Sequence, residues 1–442
     1  MDTRALPDGP TNKLWLTLRY LRDPEGTVLS LARRYGDPFT VPTLSVPMVV
    51  TGAPDAVRAV FSADPDTFAP FAVEAMEPIL GRGSILLQHG AQHRRARRLM
   101  QPPFQAARIR AYGATMHRAT LAHLETTPFD EPFPIEEVLR AISLEVIVRT
   151  VFGVQGSERI DLCRRGVLDA LAAFSPLLAM FQFLRKDFRG FGPWSRFRRL
   201  LGGVHALLLQ EIAARRGRAP GDDILSLLVA ARDEDGTPLA DDEIVEQLFT
   251  MVVAGHETTA TALAWAVDEV YRDAALLERL HRELRALGGD PEGYARSALL
   301  DAVCAETLRL HPLAPMLARK LLRPLEICGR VIPAGIGVGA CLLIAHRRPE
   351  AFPEPERFHP DRFVGKTFSP QEYFPFGGGA RRCLGAAFAL YEMKIVLGTL
   401  LASSHLELAS AHRARPGARA ATVGPRGGVP VVRTRAARAS SS

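Results

Sequence analysis

The sequence predicts a mainly α-helical protein with a minor β portion, built as a single domain over residues 1–442. Three observations carry this. Apolar side chains recur at helical period through most of residues 91–300. After Pro312 the texture changes to short β-type runs punctuated by Cys328-Gly329-Arg330 and Pro333-Ala334-Gly335. No internal repeat and no Ser/Gly-rich linker interrupts the chain, so the prior of about three domains for this length is set aside.

The elements follow in order. Residues 1–26 carry charges and prolines, with no apolar run long enough for a signal peptide or a spanning helix. Leu14, Trp15, Leu16 and Leu18 suggest a short apolar helix face packed on the body of the protein rather than on a membrane. Residues 41–60 read as short strands and turns followed by a helix. Helices are expected at 134–152, 202–217, 241–272 and 274–288, with breakers at 219–221 and 235–236 between them. The longest apolar stretch, 248–267, approaches spanning length, but His256, Glu257 and three threonines interrupt it, which suits a buried core helix. Residues 317–346 read as strands and 347–382 as loop. A final helix begins near Cys383, short strands fill 403–435, and residues 435–442 form a tail expected to be disordered.

Composition narrows the function classes. Hydrophobic residues make up 47% and charged residues 23%, which excludes a disordered or collagen-like chain. The five cysteines show no C-x-x-C spacing, arguing against a disulfide framework or zinc ribbon and for a reducing, cytoplasmic setting. The formal charge is +7, and the arginines beyond residue 409 account for all of it. Global charge therefore gives no case for nucleic-acid binding.

The sharpest local feature is FPFGGGARRCLG at 374–385. Its glycines permit close backbone approach or positive φ. A cysteine at a helix start beside arginines has its thiolate stabilised, which suits a soft metal ligand and equally a nucleophile. No G-K-[ST] follows, so a phosphate loop is a poor reading. Phe376, Gly379, Arg381, Cys383 and Gly385 together resemble the haem-binding loop of the cytochrome P-450 family, F-x-x-G-x-R-x-C-x-G. Three further motifs occur in the family's order, so the resemblance spans essentially the whole chain.

The resemblance implies the single-domain cytochrome P-450 fold and haem b (iron protoporphyrin IX) held by Cys383. AGHETT at 254–259 looks like the family's oxygen-binding motif. Ala254, Thr258 and Thr261 fall within about 40° of one helix line. Ala254 and Gly255 would leave room for a flat cofactor and a small ligand, Thr258 would hydrogen-bond dioxygen, and Glu257 would relay protons. ETLR at 306–309 and PERF at 355–358 are similar to the family's buried network, implying that Glu306, Arg309 and Arg357 pin the cysteine loop. HRRAR at 93–97 places His93 and Arg97 on one helix face; with Arg319 and Arg381 they would hold the haem propionates. Arg95 and Arg98 point elsewhere, to solvent or to a docking patch for an acidic electron donor. Cys163, Cys304, Cys328 and Cys341 are read as inert thiols, and His89 and His346 receive no role.

Substrate contacts implied by position are Phe71, Met76, Phe174, Met180, Phe181 and Met316, an apolar set suited to a mid-sized fatty acid, terpenoid or polyketide intermediate. No flavin- or nicotinamide-binding fingerprint is present, so electrons would come from a separate ferredoxin and ferredoxin reductase, with O2 as co-substrate. Two rivals remain at this stage. One is a haem-thiolate protein that uses peroxide, isomerises or senses ligands; the Glu257–Thr258 pair argues against it. The other is a Cys383-nucleophile hydrolase, for which no His–Asn/Asp partner pattern is evident.

Overall fold

The computed structural model describes residues 6–153, 157–175, 177–178, 181–187, 189–217, 221, 223–419 and 422–435. The chain is 57% helix and 12% strand, mainly α with a minor β portion as the sequence implies. It divides into two compact units. The first comprises Met1–Ala69, Gly113–Ile142 and Glu257–Ser442; the second comprises Pro70–Tyr112 and Ser143–His256. Each unit is assembled from separated segments, which is why no linker composition marks either. The expected tail lies outside the described residues from 436 onward.

The helices that matter below are α1 Lys13–Arg22, α2 Pro24–Tyr35, α3 Pro54–Ser62, α4 Gly90–Met100, α5 Ile135–Val151, α6 Ser157–Ala173, α7 Pro193–Arg215, α8 Asp241–Arg272, α9 Ala298–Leu310 and α10 Ala386–Ser403. The strands are β1 Phe39–Val41, β2 Met48–Thr51, β3 Phe68–Pro70, β4 Pro132–Pro134, β5 Met316–Leu321, β6 Leu325–Ile327, β7 Arg330–Ile332, β8 Gly337–Cys341, β9 His405–Leu408, β10 Arg415–Arg419, β11 Thr422–Arg426 and β12 Pro430–Thr434.

Within the first unit, five strands form one sheet in the order β1-β2-β8-β5-β3. β2 and β8 run parallel, with Met48 opposite Gly337, and β5 pairs antiparallel to β8, with Met316 opposite Cys341. β8 reads GVGAC and is buried throughout, as a central strand must be. Val49, Val60, Phe68, Leu321, Ile336 and Val338 pack a core beside this sheet. α10 has only two charged residues, Glu392 and Lys394, and it is long and apolar enough to cross a membrane by length and composition. Most of it is nevertheless buried in the unit's interior, including Ile395, Val396, Leu397 and Leu400. A helix so largely apolar belongs in such a core.

α8 matches the expected 241–272. Asp241, Asp242 and Glu243 in its first turn complement the helix dipole. α7 begins nine residues earlier than expected. Pro193 opens it, and the helix runs through Gly202-Gly203, around which an added side chain would meet nothing within 4 Å. The glycine pair there weakens a helix without ending it. α1 also departs from expectation. Only Leu16 is buried; Leu14, Trp15 and Leu18 face outward instead of packing on the body.

Candidate functional site

The cysteine loop owes its shape to α3. Gly377 and Gly379 adopt φ of +70° and +63°, conformations that a side chain disfavours. A Cβ on Gly378 would lie 2.3 Å from the Phe61 ring, and one on Gly379 would lie 2.2 Å from the Phe61 carbonyl oxygen. These two glycines are therefore required by packing on α3, rather than by approach to a ligand alone. Backbone bonds close the loop: Gly377 N–H donates to Phe374 O and Cys383 N–H donates to Phe376 O, both at 2.8 Å. Gly385 caps α10, so Cys383 stands three residues before the first turn of that helix, with its side chain exposed. The helix N-terminus favours an anionic sulfur there. None of the five cysteines is in a disulfide.

Arg319 tests whether this loop suits the haem that the sequence implies. Its side chain is buried and donates to Val60 O at 3.2 Å and Gly378 O at 3.0 Å. It lies over the rings of Phe68 and Phe61 at 5.1 and 5.6 Å. Among the described residues no acid pairs with it. Burial, reinforced by the like charge of Arg381, pulls its pKa down to about 10. A buried guanidinium with no acid beside it calls for an anion. A porphyrin propionate beside a single thiolate on an open loop fits that donor set, because the macrocycle brings the metal's remaining ligands itself.

Behind the loop lies a buried ion network. Glu306 and Arg309, three residues apart on α9, are completely buried and paired at 2.6 Å (Nε–Oε2) and 2.9 Å (Nη2–Oε1). Glu306 also accepts from His359 N–H at 2.8 Å and from Arg362 Nε at 3.0 Å. This corrects the expected third member. The Arg357 side chain is exposed beside Glu354, and only its carbonyl takes part, accepting from Arg309. The chain holds two similar runs, Pro355-Glu356-Arg357-Phe358 and Pro360-Asp361-Arg362-Phe363. The short helix Pro360–Phe363 presents the second arginine to α9, while the first run supplies carbonyls.

Two further participants went unread in the sequence. Buried His346 accepts from Phe374 N–H through Nε2 at 3.1 Å, and its carbonyl accepts from Arg309 Nη1 at 2.8 Å. Desolvation, then the charges of Arg309 and Arg347, push its pKa down to about 3, so the ring is neutral. With Nε2 as acceptor the proton sits on Nδ1, which has no partner among the described residues. Tyr373 donates its hydroxyl to Ala305 O at 2.9 Å, tying the loop's approach to α9. Only adjacency to FPFGGG hinted at Tyr373, and nothing marked His346.

Glu257 and Thr258 are half-buried on α8 within the first unit. Ala254 and Gly255 lie in the second unit, just before its last residue, His256, and Ala254 is exposed. A Cβ on Gly255 would stand 2.9 Å from Ile147 Cδ1, so its smallness also serves the packing of α5. On α4, His93 is buried and Arg97 half-buried. Arg95 binds Asp233 at 2.8 Å and Glu243 at 3.5 Å, and Arg98 pairs with Glu234. Both arginines are thus paired with acids on the same unit. Of the apolar candidates, Phe71 and Met76 are half-buried, Phe174 packs on Phe197 at 4.8 Å, and Phe181 is exposed beside Phe183. Met180 lies outside the described residues. Met316 covers Gly339 on the β5 face opposite Arg319, a position explained by sheet packing.

An open cysteine at a helix start, backed by a buried Glu-Arg-Arg network and fringed by unneutralised arginine, defines the scaffold of a haem-thiolate enzyme. The family model for cytochrome P450 matches residues 7–418. Among curated proteins, cytochrome P450 135B1 of Mycobacterium tuberculosis is 37% identical over 390 residues, covering 87% of this chain and 82% of that protein. Cytochrome P450 137 of the same organism is 36% identical, covering 86% and 80%. Among solved structures, retinoic-acid-bound cyanobacterial CYP120A1 matches with a TM-score of 0.82 at 24% identity, covering 97% of this chain and 99% of that one. The haem domain of cytochrome P450DA matches at 0.84 and 23%, covering 97% of each. The chain belongs to the cytochrome P450 family: it has that fold, binds haem b and is an oxidoreductase of the monooxygenase class.

Proposed function

We propose that Cys383 is the haem ligand of a bacterial, cytoplasmic monooxygenase that hydroxylates or epoxidises a mid-sized apolar substrate. The candidate substrates are a fatty acid, a terpenoid or a polyketide intermediate of secondary metabolism. The observation that carries this is the Cys383 loop itself, an exposed thiol before α10 on a backbone fixed by Phe61 and the Phe376 carbonyl. When bound, a thiolate-ligated haem supplies oxygen activation and O–O cleavage. The chain's own residues do the rest. As the resemblance implies, Arg319 and Arg381, and likewise His93 and Arg97, would hold the propionates by charge-assisted bonds. Phe376 and Gly385 shape the loop around the sulfur. Thr258 orients a proton donor on α8, and Glu257 delivers protons from solvent. Ala254 keeps the neighbouring helix surface low. Glu306, Arg309 and Arg362 hold the loop's approach rigid. The whole chain forms one functional domain over 1–442, and ferredoxin with its reductase supplies the electrons.

The test is spectroscopic. The purified protein should show a thiolate-type Soret band in its reduced carbon monoxide adduct, and Cys383→Ala should abolish it. A low- to high-spin shift on adding fatty acids, terpenoids or macrolides would identify the substrate class. A histidine-type carbonyl spectrum, or undiminished oxygenase activity in Cys383→Ala, would overturn the reading.

A further inference from the structure

The arginines beyond residue 409 whose side chains are described fall into two groups. Arg413 pairs with Glu269 at 2.9 Å, Arg433 donates to Thr127 Oγ1 at 3.2 Å and stands over the Phe129 ring, and Arg435 stands over the same ring. Arg415 and Arg426, both exposed, have no acid partner among the described residues. They are register partners in the β10–β11 ladder. Like charges directly opposite one another in a ladder cost stability. The Arg426 arm lies across Gly417, where a Cβ would be 3.0 Å from its Cβ and 3.3 Å from its Nε.

A third cation joins them. Arg22, the last residue of α1, is exposed and likewise unpaired among the described residues. It lines one open cavity of about 330 Å³ with Leu21, Gly417, Ala418, Arg426 and Gly427. α1 contains no acid. Its outer face carries Leu14, Leu18 and Leu21 at 70%, 60% and 56% exposure, spaced four and three residues apart and hence on one side of the helix. Trp15, 44% exposed, stands beside them under Arg19 at 5.1 Å. Leu16 already anchors the inner side, and among the described residues nothing covers the leucine face turned to water.

We propose that this surface docks on an anionic phospholipid bilayer. A headgroup phosphate neutralises Arg22, Arg415 and Arg426, while Leu14, Leu18 and Leu21 enter the interfacial layer. The argument for lipid is that one molecule must satisfy both halves: an anion on the arginine cluster and an apolar phase along the adjoining helix. The ligand class is set by charge complementarity and does not depend on the haem reading.

The test is co-sedimentation of the full-length holoprotein with phosphatidylcholine vesicles, with and without about 30% phosphatidylglycerol. Binding should rise at least about tenfold with the anionic lipid and fall several-fold in high salt, as a surface ion interaction must. Arg415→Gln/Arg426→Gln and Leu14→Ser/Leu18→Ser should each lose most of that binding; these residues are exposed, so neither variant should melt lower or change the carbonyl spectrum, and relief of the opposed arginines should raise the first variant's melting temperature slightly. Equal binding to both vesicle types, no binding, or full binding by the double variants would overturn the proposal. Two other outcomes would do the same: calorimetric binding of inorganic phosphate without vesicle binding, marking a free-anion site, and a dimer abolished by Leu14→Ser/Leu18→Ser, marking a second copy as the occupant.

Discussion

Arg362 reaches Glu306 through Nε at 3.0 Å across 56 residues of sequence, inside a site where Glu306 is wholly buried. Arg357, in the neighbouring run of the same pattern, contributes only its carbonyl, which any residue would supply. The two arginines therefore make opposite predictions. Arg362→Gln should destabilise the holoenzyme by about 2 kcal/mol, the scale of losing a hydrogen bond to a charged group in a dry site. Arg357→Gln should leave the unfolding midpoint unchanged. Glu306→Ala strands two buried guanidiniums and should cost about 3–5 kcal/mol. Urea titration followed by circular dichroism, with the reduced carbonyl spectrum as a second probe, checks all three.

His346 should give the stability curve a definite sign below neutral pH. Its folded pKa is held near 3 by burial and by Arg309 and Arg347, whereas the unfolded imidazole titrates near 6.5. The unfolded chain thus takes up a proton that the folded chain refuses. The group's contribution is complete above the unfolded value and is lost as pH falls from there towards 3, at about 1.4 kcal/mol per pH unit. His346→Leu should remove that slope and leave the Phe374 N–H unsatisfied, whereas His346→Asn keeps an acceptor in reach. The check is the unfolding midpoint at pH 7 and pH 5 for the three proteins. A parallel fall in all of them would refute the assignment.

The legible part of the molecule was where function forces residue types into fixed short spacing. The cysteine loop, AGHETT and ETLR each lie within one element, so their patterns survive in sequence. α8 was readable to its ends because its apolar period and acidic first turn are local. What could not be read is set by contacts distant in sequence. The choice between Arg357 and Arg362 depends on which loop turns toward α9, and two near-identical runs offer no local signal. The demand for glycine at 378 and 379 comes from Phe61, more than 300 residues upstream. That Gly255 also makes room for Ile147 could not be read locally. The outward leucines of α1 defeated the ordinary inference that an apolar face is a buried face.

Thr258 and Glu257 should separate electron consumption from product formation. Both sit half-buried on α8 in an otherwise apolar stretch. If they manage the proton for oxygen activation, Thr258→Ala and Glu257→Gln should bind substrate with an unchanged spin shift. Product per NADPH should fall by about 10²-fold, the lower end of general acid–base contributions, with hydrogen peroxide appearing instead. A loss of substrate binding without uncoupling would assign them to the pocket wall.

The two loop glycines should respond differently to the same relief. An alanine at Gly378 meets the Phe61 ring at 2.3 Å, and that ring is wedged edge-on against Phe374 at 5.3 Å and beneath Arg319 at 5.6 Å. The ring cannot simply swing away, so Gly378→Ala should cost about 1–3 kcal/mol, the usual price of overpacking. Trimming the obstacle, as in Gly378→Ala/Phe61→Ala, should recover part of that loss and restore haem retention. Gly379 faces a different obstacle. Its Cβ would meet the Phe61 carbonyl oxygen at 2.2 Å, and its φ of +63° already disfavours a side chain. Truncating the Phe61 side chain leaves that oxygen in place, so Gly379→Ala should stay equally impaired in the Phe61→Ala background. Thermal midpoint and haem-to-protein absorbance ratio across the double-mutant cycle read this directly. Equal rescue at both positions would mean that α3 itself, and not its ring and carbonyl separately, yields to the loop.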